Sequence, residues 1–149
     1  MDRRVANLCY LIRNGKLLLI RKKRGLGAGK LNAPGGRVED ESPEESAIRE
    51  VREEVGVEVN SLQFRGIHEF VNNGKLALLC YVFVSEDFEG EPKETEEAEP
   101  LWFALEKIPY EEMWEDDALW LPKVLSGKTV FGRFEFEEWK LKEHRLWVV

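Results

Sequence analysis

The stretch from Gly35 to Val57 constrains the fold of this chain more than any other part of its sequence. It opens with a Gly-Gly pair, and glutamates follow at positions i, i+3 and i+4, namely Glu50, Glu53 and Glu54. On an α-helix this spacing stacks the three carboxylates on one face. Like charges placed in this way repel each other by roughly 0.2–0.5 kcal/mol per pair. A sequence that keeps them there, after a Gly-Gly turn, is typical of a site that holds a hard divalent cation against a phosphate.

Residues 42–56 carry the signals of a helix with defined ends. Ser42 is a favourable N-cap, Pro43 suits the first helical position, and Glu45 completes a capping box. Gly56 is a C-terminal stop signal. We therefore predict a helix from Pro43 to about Val55, whose apolar stripe lies beside the acidic face and consists of Ala47, Ile48, Val51 and Val55.

The other apolar runs predict strands. Val5–Ile12 and Lys16–Lys22 flank Asn14-Gly15, which is a strong hairpin signal. Val57–Phe70 and Lys75–Ser85 flank a second turn around Asn72-Asn73-Gly74. Three further elements are expected: a short strand at Leu101–Leu105, a short helix from Asp116/Asp117 to about Leu125, and a strand or hairpin at Lys128–Phe136. The glycine-rich segment 24–36 and the acidic segment 88–100 are predicted to be loops.

The composition is that of an ordered protein with one domain, residues 1–149. The chain has 149 residues, of which 43% are hydrophobic, and a net charge of −7. That charge argues against binding to polymeric nucleic acid, although metal ions can bridge an acidic protein to a nucleotide. His68 and His144 are isolated, and we expect both to be satisfied structural residues.

Cysteine usage and hydropathy predict a cytoplasmic protein. Cys9 and Cys80 both lie in apolar runs and are expected to be buried thiols in a reducing compartment, with a disulfide as the less favoured alternative. The run Val5–Ile12 is too short to span a membrane and lacks a cleavage site, so we expect no membrane association.

The stretch resembles the Nudix box at every position which that motif defines. The match reads Gly35-x5-Glu41-x7-Arg49-Glu50-Val51-x-Glu53-Glu54-x-Gly56-Val57. The resemblance implies an α+β Nudix fold: an α/β/α sandwich with a mixed curved sheet, in which the box forms a loop–helix–loop. It also implies a hydrolase that cleaves a nucleoside diphosphate linked to another moiety.

The residue types suggest how such a site would work. Mg²⁺, or Mn²⁺ in its place, prefers oxygen ligands, and we predict ligands from the Gly35 backbone, Glu50, Glu53 and Glu54. The resemblance adds Glu97 as a further metal ligand, with a solvated loop residue as the alternative. Either Glu53 or Glu54 would take the proton from the attacking water, and the sequence leaves this choice open. Arg49 is expected to fix the site by pairing with a carboxylate such as Glu41.

The resemblance extends beyond the box. Segments 22–32 and 113–120, including Trp114-Glu115-Asp116-Asp117, look like those of MutT-related enzymes that hydrolyse oxidised purine nucleoside triphosphates such as 8-oxo-dGTP to the monophosphate and pyrophosphate, thereby cleaning the nucleotide pool. Trp114 offers a stacking face, and Asp116 and Asp117 can accept hydrogen bonds from a guanine edge, with one of them protonated. The predicted substrate-binding residues are Asn7, Lys22, Asn32, Gly35, Gly36, Phe70, Trp114, Asp116 and Asp117.

Each of these residues also has a structural alternative. Trp114 and Phe70 could serve in packing, Asp116/Asp117 as helix caps, and Asn32 as a turn residue. Leu26 stands where the animal enzymes carry an aromatic residue, and Asn7 where they carry threonine, so the base preference is open.

The predicted partner is a nucleoside triphosphate bound as its metal complex, and the protein is expected to be a monomer, with a dimer as the alternative. Other Nudix substrates (an undamaged nucleotide, ADP-ribose or a pterin triphosphate) and a catalytically silent binding or sensor module are the alternative functions.

Overall fold

Two Asn-Gly turns organise the sheet in the computed structural model, which describes residues 2–149. Asn14 and Gly15 have φ values of 53° and 73°, and Asn73 and Gly74 have φ values of 50° and 79°. Positive φ at both central residues is what a tight type I′ hairpin requires. The predicted hairpins around these two turns are therefore confirmed.

Eight strands and two α-helices follow along residues 2–149. They are β1 Val5–Arg13, β2 Lys16–Lys22, β3 Leu31–Asn32, α1 Pro43–Val55, β4 Glu58–Asn72, β5 Lys75–Glu89, β6 Ala98–Ala104, α2 Asp117–Leu125, β7 Val130–Glu137 and β8 Lys140–Val148. Short 3-10 turns at Leu105–Lys107 and Tyr110–Glu112 lead from β6 toward α2.

The strands form one mixed sheet in the order β3-β2-β1-β5-β4-β7-β8, with β6 paired to β2. The β1–β5 and β4–β7 pairs are parallel, and the others are antiparallel. β1 pairs with β2 only over Leu11–Arg13, so the two strands diverge toward the start of β1. The loop around Gly35-Gly36 occupies the space beside the start of β1, and a cavity lies next to it.

The helices cover opposite faces of the sheet. Successive side chains of β1 point to opposite faces, so Cys9 and Leu11 pack in the cluster around α1, while Tyr10 packs against Trp120 of α2. The result is an α+β arrangement with α/β/α layers and a mixed sheet that does not close, as predicted.

α1 begins and ends where its local sequence predicts. The Ser42 side chain accepts a hydrogen bond from Glu45 N, and the Glu45 side chain accepts one from Ser42 N, which completes the capping box. Gly56 adopts the left-handed conformation with φ 74° and donates its N–H to Arg52 O. These caps fix the helix that carries the acidic face.

Several predicted strand limits are wrong, and two strands were not predicted: β8, and β3 within the segment 24–36 that was predicted to be a loop. β4 and β5 run on to Asn72 and Glu89, and β6 starts at Ala98, so both ends of the segment read as an acidic loop are strand. β8 is an edge strand in which seven of the nine residues are exposed and four are charged, so it lacks the apolar alternation that would reveal it.

Both cysteines are free and buried, as expected. His68 corrects an expectation, because it is fully buried and neither ring nitrogen has a hydrogen-bond partner among residues 2–149. Its ring packs instead among Phe70, Trp120 and Phe134, and burial lowers its pKa to about 3. None of the helices within residues 2–149 is both long and apolar enough to cross a membrane.

Candidate active site

The Gly-Gly loop lies against the divergent end of β1. Asn7 N donates to Gly36 O at 2.9 Å, and Cys9 N donates to Pro34 O at 2.8 Å. A Cβ atom added to Gly35 would lie 2.1 Å from Asn7 O, so only glycine lets the two backbones approach so closely. The Gly36 carbonyl is engaged by Asn7, which favours the Gly35 carbonyl as the one available to a ligand.

Arg49 links the carboxylates at the centre of the acidic face. Its Nη2 donates to Glu41 Oε1 at 2.6 Å and its Nε to Glu41 Oε2 at 3.0 Å, so the expected pairing with Glu41 is confirmed. Its Nη1 donates to Glu50 at 2.9 Å and to Glu53 at 3.2 Å. One guanidinium therefore ties the loop before α1 to two of the three glutamates.

Glu54 has different surroundings from the other two glutamates. Its Oε1 accepts a hydrogen bond from Gly35 N at 2.8 Å, and among residues 2–149 it forms no ion pair. Burial raises its pKa to about 7, against the opposing effect of the Gly35 hydrogen bond. Burial also raises the pKa of Glu50, although Arg49 acts in the opposite direction. A cation beside these desolvated carboxylates would favour their ionised forms.

The residues fit a hard divalent cation by their chemistry, although the side chains within residues 2–149 do not form a closed ligand set. Glu50 and Glu53 face Arg49, and Glu54 faces Gly35. The available donors are carboxylate and carbonyl oxygens, which Mg²⁺ prefers.

The Glu97 side chain does not form a closed ligand set with the three glutamates of α1 within residues 2–149, although its charge helps to raise the pKa of Glu54. Its side chain forms an exposed ion pair with Arg24, and the Arg24 guanidinium lowers its pKa. Its backbone is nevertheless close to the helix, because Thr95 Oγ1 accepts from Glu97 N and donates to Glu54 O.

A cavity of about 240 Å³ opens next to the glutamates, where β1 and β2 diverge. Its lining includes every residue predicted to bind substrate: Asn7, Lys22, Asn32, Gly35, Gly36, Phe70, Trp114, Asp116 and Asp117. Glu54 lines it too, so the acidic face and the cavity share a boundary.

Asp116 and Asp117 form the acidic part of the cavity wall, and both are almost fully buried. Asp116 is the N-cap residue of α2, but its side chain makes no capping hydrogen bond. Instead, Asp116 Oδ2 accepts from Trp120 Nε1 at 2.8 Å. Burial raises the pKa of Asp116 to about 6, and burial together with the neighbouring Asp116 charge raises the pKa of Asp117. Such a pair carries a proton more readily than two exposed carboxylates do.

Trp114 is held by contacts on several sides. Lys30 Nζ lies 5.3 Å from the centre of its ring, and Gly27 lies so close that an added Cβ would be 3.0 Å from it. The ring of Trp139 meets it edge to face at 5.7 Å.

The two asparagines of the cavity differ in how their polar atoms are used. Asn7 is 2% exposed, and its Nδ2 donates to Ser46 Oγ at 2.9 Å. Its Oδ1 has no partner among residues 2–149. Asn32 Oδ1 accepts from Ala33 N at 2.9 Å, which is the local role expected of a turn residue.

Several cavity residues escaped the sequence analysis. They include Leu78 and Cys80 on β5, Phe136 on β7 and Trp139 in the turn after it. The alternation of Phe134 and Phe136 could have placed Phe136 on an inward face, but nothing local in the sequence marks Trp139.

The profile of the NUDIX domain matches residues 2–124. The chain belongs to the Nudix family. Its Nudix box is the loop–helix–loop that carries Gly35, Arg49 and the three glutamates, and the chain is accordingly a Nudix hydrolase.

Two curated Nudix relatives cover nearly the whole chain. The oxidized purine nucleoside triphosphate hydrolase of Danio rerio is 40% identical over 146 residues, which are 96% of this chain and 94% of the relative. The enzyme of the same name from Mus musculus is 38% identical over 91% of this chain and 88% of its own.

A solved structure supports the Nudix fold along the same length. The crystal structure of a MutT protein from Bacillus halodurans superposes with a TM-score of 0.83 at 27% identity, covering 95% of this chain and 96% of that one.

Proposed function

We propose that this Nudix hydrolase cleaves oxidised purine nucleoside triphosphates, such as 8-oxo-dGTP, to the monophosphate and pyrophosphate. The observation that carries the proposal is the shared boundary: Glu54 belongs both to the acidic face of α1 and to the wall of the cavity that holds Trp114, Asp116 and Asp117. A base in that cavity would leave its phosphates beside the glutamates. Relatives that are 40% and 38% identical carry the name of this activity.

The glutamate face would bind Mg²⁺, or Mn²⁺, through Glu50, Glu53, Glu54 and the Gly35 carbonyl. When bound, the metal would polarise a phosphoryl oxygen and lower the pKa of a water. Arg49 holds Glu50 and Glu53 in place, and Glu53 or Glu54 accepts the proton of the attacking water. Glu97 would join the ligands only if its ion pair with Arg24 opened.

The cavity would recognise the base by its edge and by its face. Trp114 supplies an aromatic face for stacking, a contact worth about 1–3 kcal/mol per base. The raised pKa values of Asp116 and Asp117 favour one protonated carboxyl beside one ionised carboxylate, which together present a donor and acceptors to a purine edge. Asn32 and Asn7 Oδ1 offer further polar contacts, and Lys22, which also lines the cavity, would contact a phosphate.

The proposed setting is the cytoplasm, where nucleotide triphosphates are abundant. The buried free thiols Cys9 and Cys80 agree with a reducing compartment.

Glutamate variants test the chemistry. In saturating Mg²⁺, Glu53→Gln and Glu54→Gln should each lower kcat by about 100-fold or more, as expected for loss of a general base or of a metal ligand. Glu44→Gln is the matched control, because Glu44 is an exposed glutamate in the first turn of the same helix. If Glu53→Gln and Glu54→Gln both turned over at the parent rate, the catalytic assignment would be wrong. A parent protein without metal-dependent turnover would instead favour a binding or sensor module.

Aspartate variants test the base pocket. Asp116→Asn and Asp117→Asn should change the ranking of nucleotide substrates. Each variant replaces a carboxyl group, which can gain or lose a proton, with an amide that cannot. Asp40→Asn, in the exposed loop before α1, serves as the control. An unchanged ranking in both cavity variants would exclude purine reading by this pair and favour another Nudix substrate, such as an undamaged nucleotide, ADP-ribose or a pterin triphosphate.

A further inference from the structure

The two-residue turn between β7 and β8 has an unusual backbone for its sequence. Glu137 pairs with Lys140, and the residues between them, Glu138 and Trp139, have φ values of 51° and 59°. This left-handed conformation suits Asn-Gly and is disfavoured for a large side chain. Conformations of this kind persist only where surrounding contacts enforce them, and they concentrate at functional sites.

Hydrogen bonds from a neighbouring turn enforce this conformation. Trp139 N donates to Asn72 Oδ1 at 3.0 Å, and Glu138 N donates to Asn73 Oδ1 at 2.9 Å. Asn73 N in return donates to Phe136 O at 3.0 Å. The β4–β5 turn therefore clamps the β7–β8 turn through both backbone and side-chain atoms.

The same turn is also fixed from the side of the acidic pair. Glu115 lies between Trp114 and Asp116, and its Oε1 accepts from Leu141 N at 3.0 Å. Residues from two separate parts of the chain, Asn72/Asn73 and Glu115, thus hold the turn at the rim of the cavity.

The consequence of this clamp is the position of the Trp139 ring. Trp139 lines the cavity, and its ring lies 5.7 Å from the Trp114 ring at an interplanar angle of 61°. Phe136 lies 5.9 Å away and supports it from β7. The two indoles form a corner, so a flat base that stacks on Trp114 presents an edge toward Trp139.

We infer that Trp139 is a specificity-determining wall of the base pocket, which contacts the edge of a bicyclic base and so favours purines over pyrimidines. The inference deepens the proposed function and rests on it, because it assumes that the base occupies this cavity. A single-ring base stacked on Trp114 extends less far and loses the contact with Trp139. The strained left-handed turn then has a function, because it places the Trp139 ring in the cavity wall.

Four variants separate the ring from the backbone that carries it. Trp139→Ala and Trp139→Gly both remove the ring, but only glycine relieves the left-handed conformation. Trp139→Phe restores an aromatic side chain. Trp147→Ala is the matched control, since Trp147 is a 57% exposed tryptophan on β8 that does not line the cavity.

The readouts are kcat and KM for 8-oxo-dGTP and dCTP, binding of the product 8-oxo-dGMP by calorimetry, and unfolding in urea. We expect Trp139→Ala and Trp139→Gly to weaken 8-oxo-dGMP binding and raise the KM for 8-oxo-dGTP by about tenfold, in line with the loss of one aromatic contact to a base. kcat should change by less than about twofold, because the lost contact is to the base and not to the phosphates. The purine-to-pyrimidine ratio of kcat/KM should fall, Trp139→Phe should recover most of the loss, and Trp139→Gly should unfold at a higher urea concentration than Trp139→Ala.

The role of Trp139 and the proposed function can fail independently of each other. Unchanged product binding and unchanged substrate ratio in both ring-deleted variants would overturn the role of Trp139 while leaving the proposed function intact. A parent that hydrolyses no oxidised purine triphosphate yet loses 8-oxo-dGMP binding in Trp139→Ala would overturn the proposed function and retain the base contact. A parent that binds no purine nucleotide would overturn both.

Discussion

Trp120 Nε1 donates a hydrogen bond to Asp116 Oδ2 at 2.8 Å, so the fully buried tryptophan of α2 is tied to the acidic pair of the cavity. The two residues are one helical turn apart. The bond occupies one carboxylate oxygen of Asp116 and orients the other. The buried core of this helix and the acidic pair of the cavity are therefore one structural unit.

Removing this donor should destabilise the protein and disturb the pair. Trp120→Phe leaves a buried carboxylate without its partner, so we expect the free energy of unfolding to fall by about 2–4 kcal/mol, part of it from lost volume. The pKa of Asp116 should rise further, because the Trp120 hydrogen bond now lowers it. Urea unfolding at pH 5 and pH 7 measures both effects: the loss should be larger at pH 7, where the parent carboxyl is ionised, and an equal loss at both values would contradict this account.

The acidic pair should also give stability a specific pH dependence. The pKa of Asp116 is raised in the folded protein from its ordinary 3.8 to about 6, so the folded state binds more protons than the unfolded state between these values. Stability from this group is therefore highest at low pH and is lost as pH rises from about 4 to about 6. Asp116→Asn should match the parent near pH 4 and exceed its free energy of unfolding by up to about 3 kcal/mol at pH 7.

Subtracting the two unfolding curves removes the contribution of titrating groups outside the pair and leaves that of Asp116 together with the change in Asp117, whose pKa the Asp116 charge raises. A difference between Asp116→Asn and the parent that does not vary with pH would show that the folded-state pKa is not raised.

Arg49 should matter for turnover far more than for binding. Arg49→Lys keeps the charge but cannot reproduce the contacts to Glu41, Glu50 and Glu53 at once, because lysine is a point charge without a planar fork. Misplaced glutamates should lower kcat by about 100-fold, with KM nearly unchanged. Steady-state kinetics would measure this, with Arg52→Lys as control, since Arg52 lies on the same helix and pairs only with the exposed Glu58. Parent-like kcat in Arg49→Lys would show that positioning by the fork is unimportant.

The two glycines of the loop should respond differently to alanine. At Gly35 the new methyl group would meet the backbone oxygen of Asn7, which cannot rotate away, so Gly35→Ala should lower the free energy of unfolding by about 2 kcal/mol or more. At Gly36 it would lie 2.4 Å from Glu50 Cδ, and that side chain can move. Gly36→Ala should therefore fold nearly as well as the parent but turn over at least about tenfold more slowly, from the displaced carboxylate. Thermal unfolding and kcat should be measured on both variants. A stable but slow Gly35→Ala together with an unstable Gly36→Ala would refute this distinction.

Local signals explain why α1 could be predicted to the residue while β8 and the rim of the cavity could not. Ser42, Glu45 and Gly56 act on their own neighbours, so the sequence carries their whole effect. β8 is held by pairing with β7, and its exposed side chains give no sequence signal of that pairing.

Contacts between residues far apart in the sequence account for the differences between the predicted site and the observed one. The Arg24–Glu97 ion pair joins residues 73 positions apart, and it engages the glutamate that the resemblance assigned to a metal. The left-handed conformation of Trp139 depends on Asn72, which lies 67 positions earlier in the chain. Such contacts appear only once the sheet has formed.

The most direct test of the account is the steady-state kcat/KM of the parent for 8-oxo-dGTP, 2-oxo-dATP, dGTP, dATP, dCTP and ADP-ribose at saturating Mg²⁺, with monophosphate and pyrophosphate followed by chromatography. We predict a preference of at least about tenfold for an oxidised purine, equal to about 1.4 kcal/mol of transition-state discrimination, with pyrophosphate as the second product. A flat profile, or a maximum at ADP-ribose or dCTP, would retain the Nudix chemistry and contradict the proposed role in clearing oxidised purines.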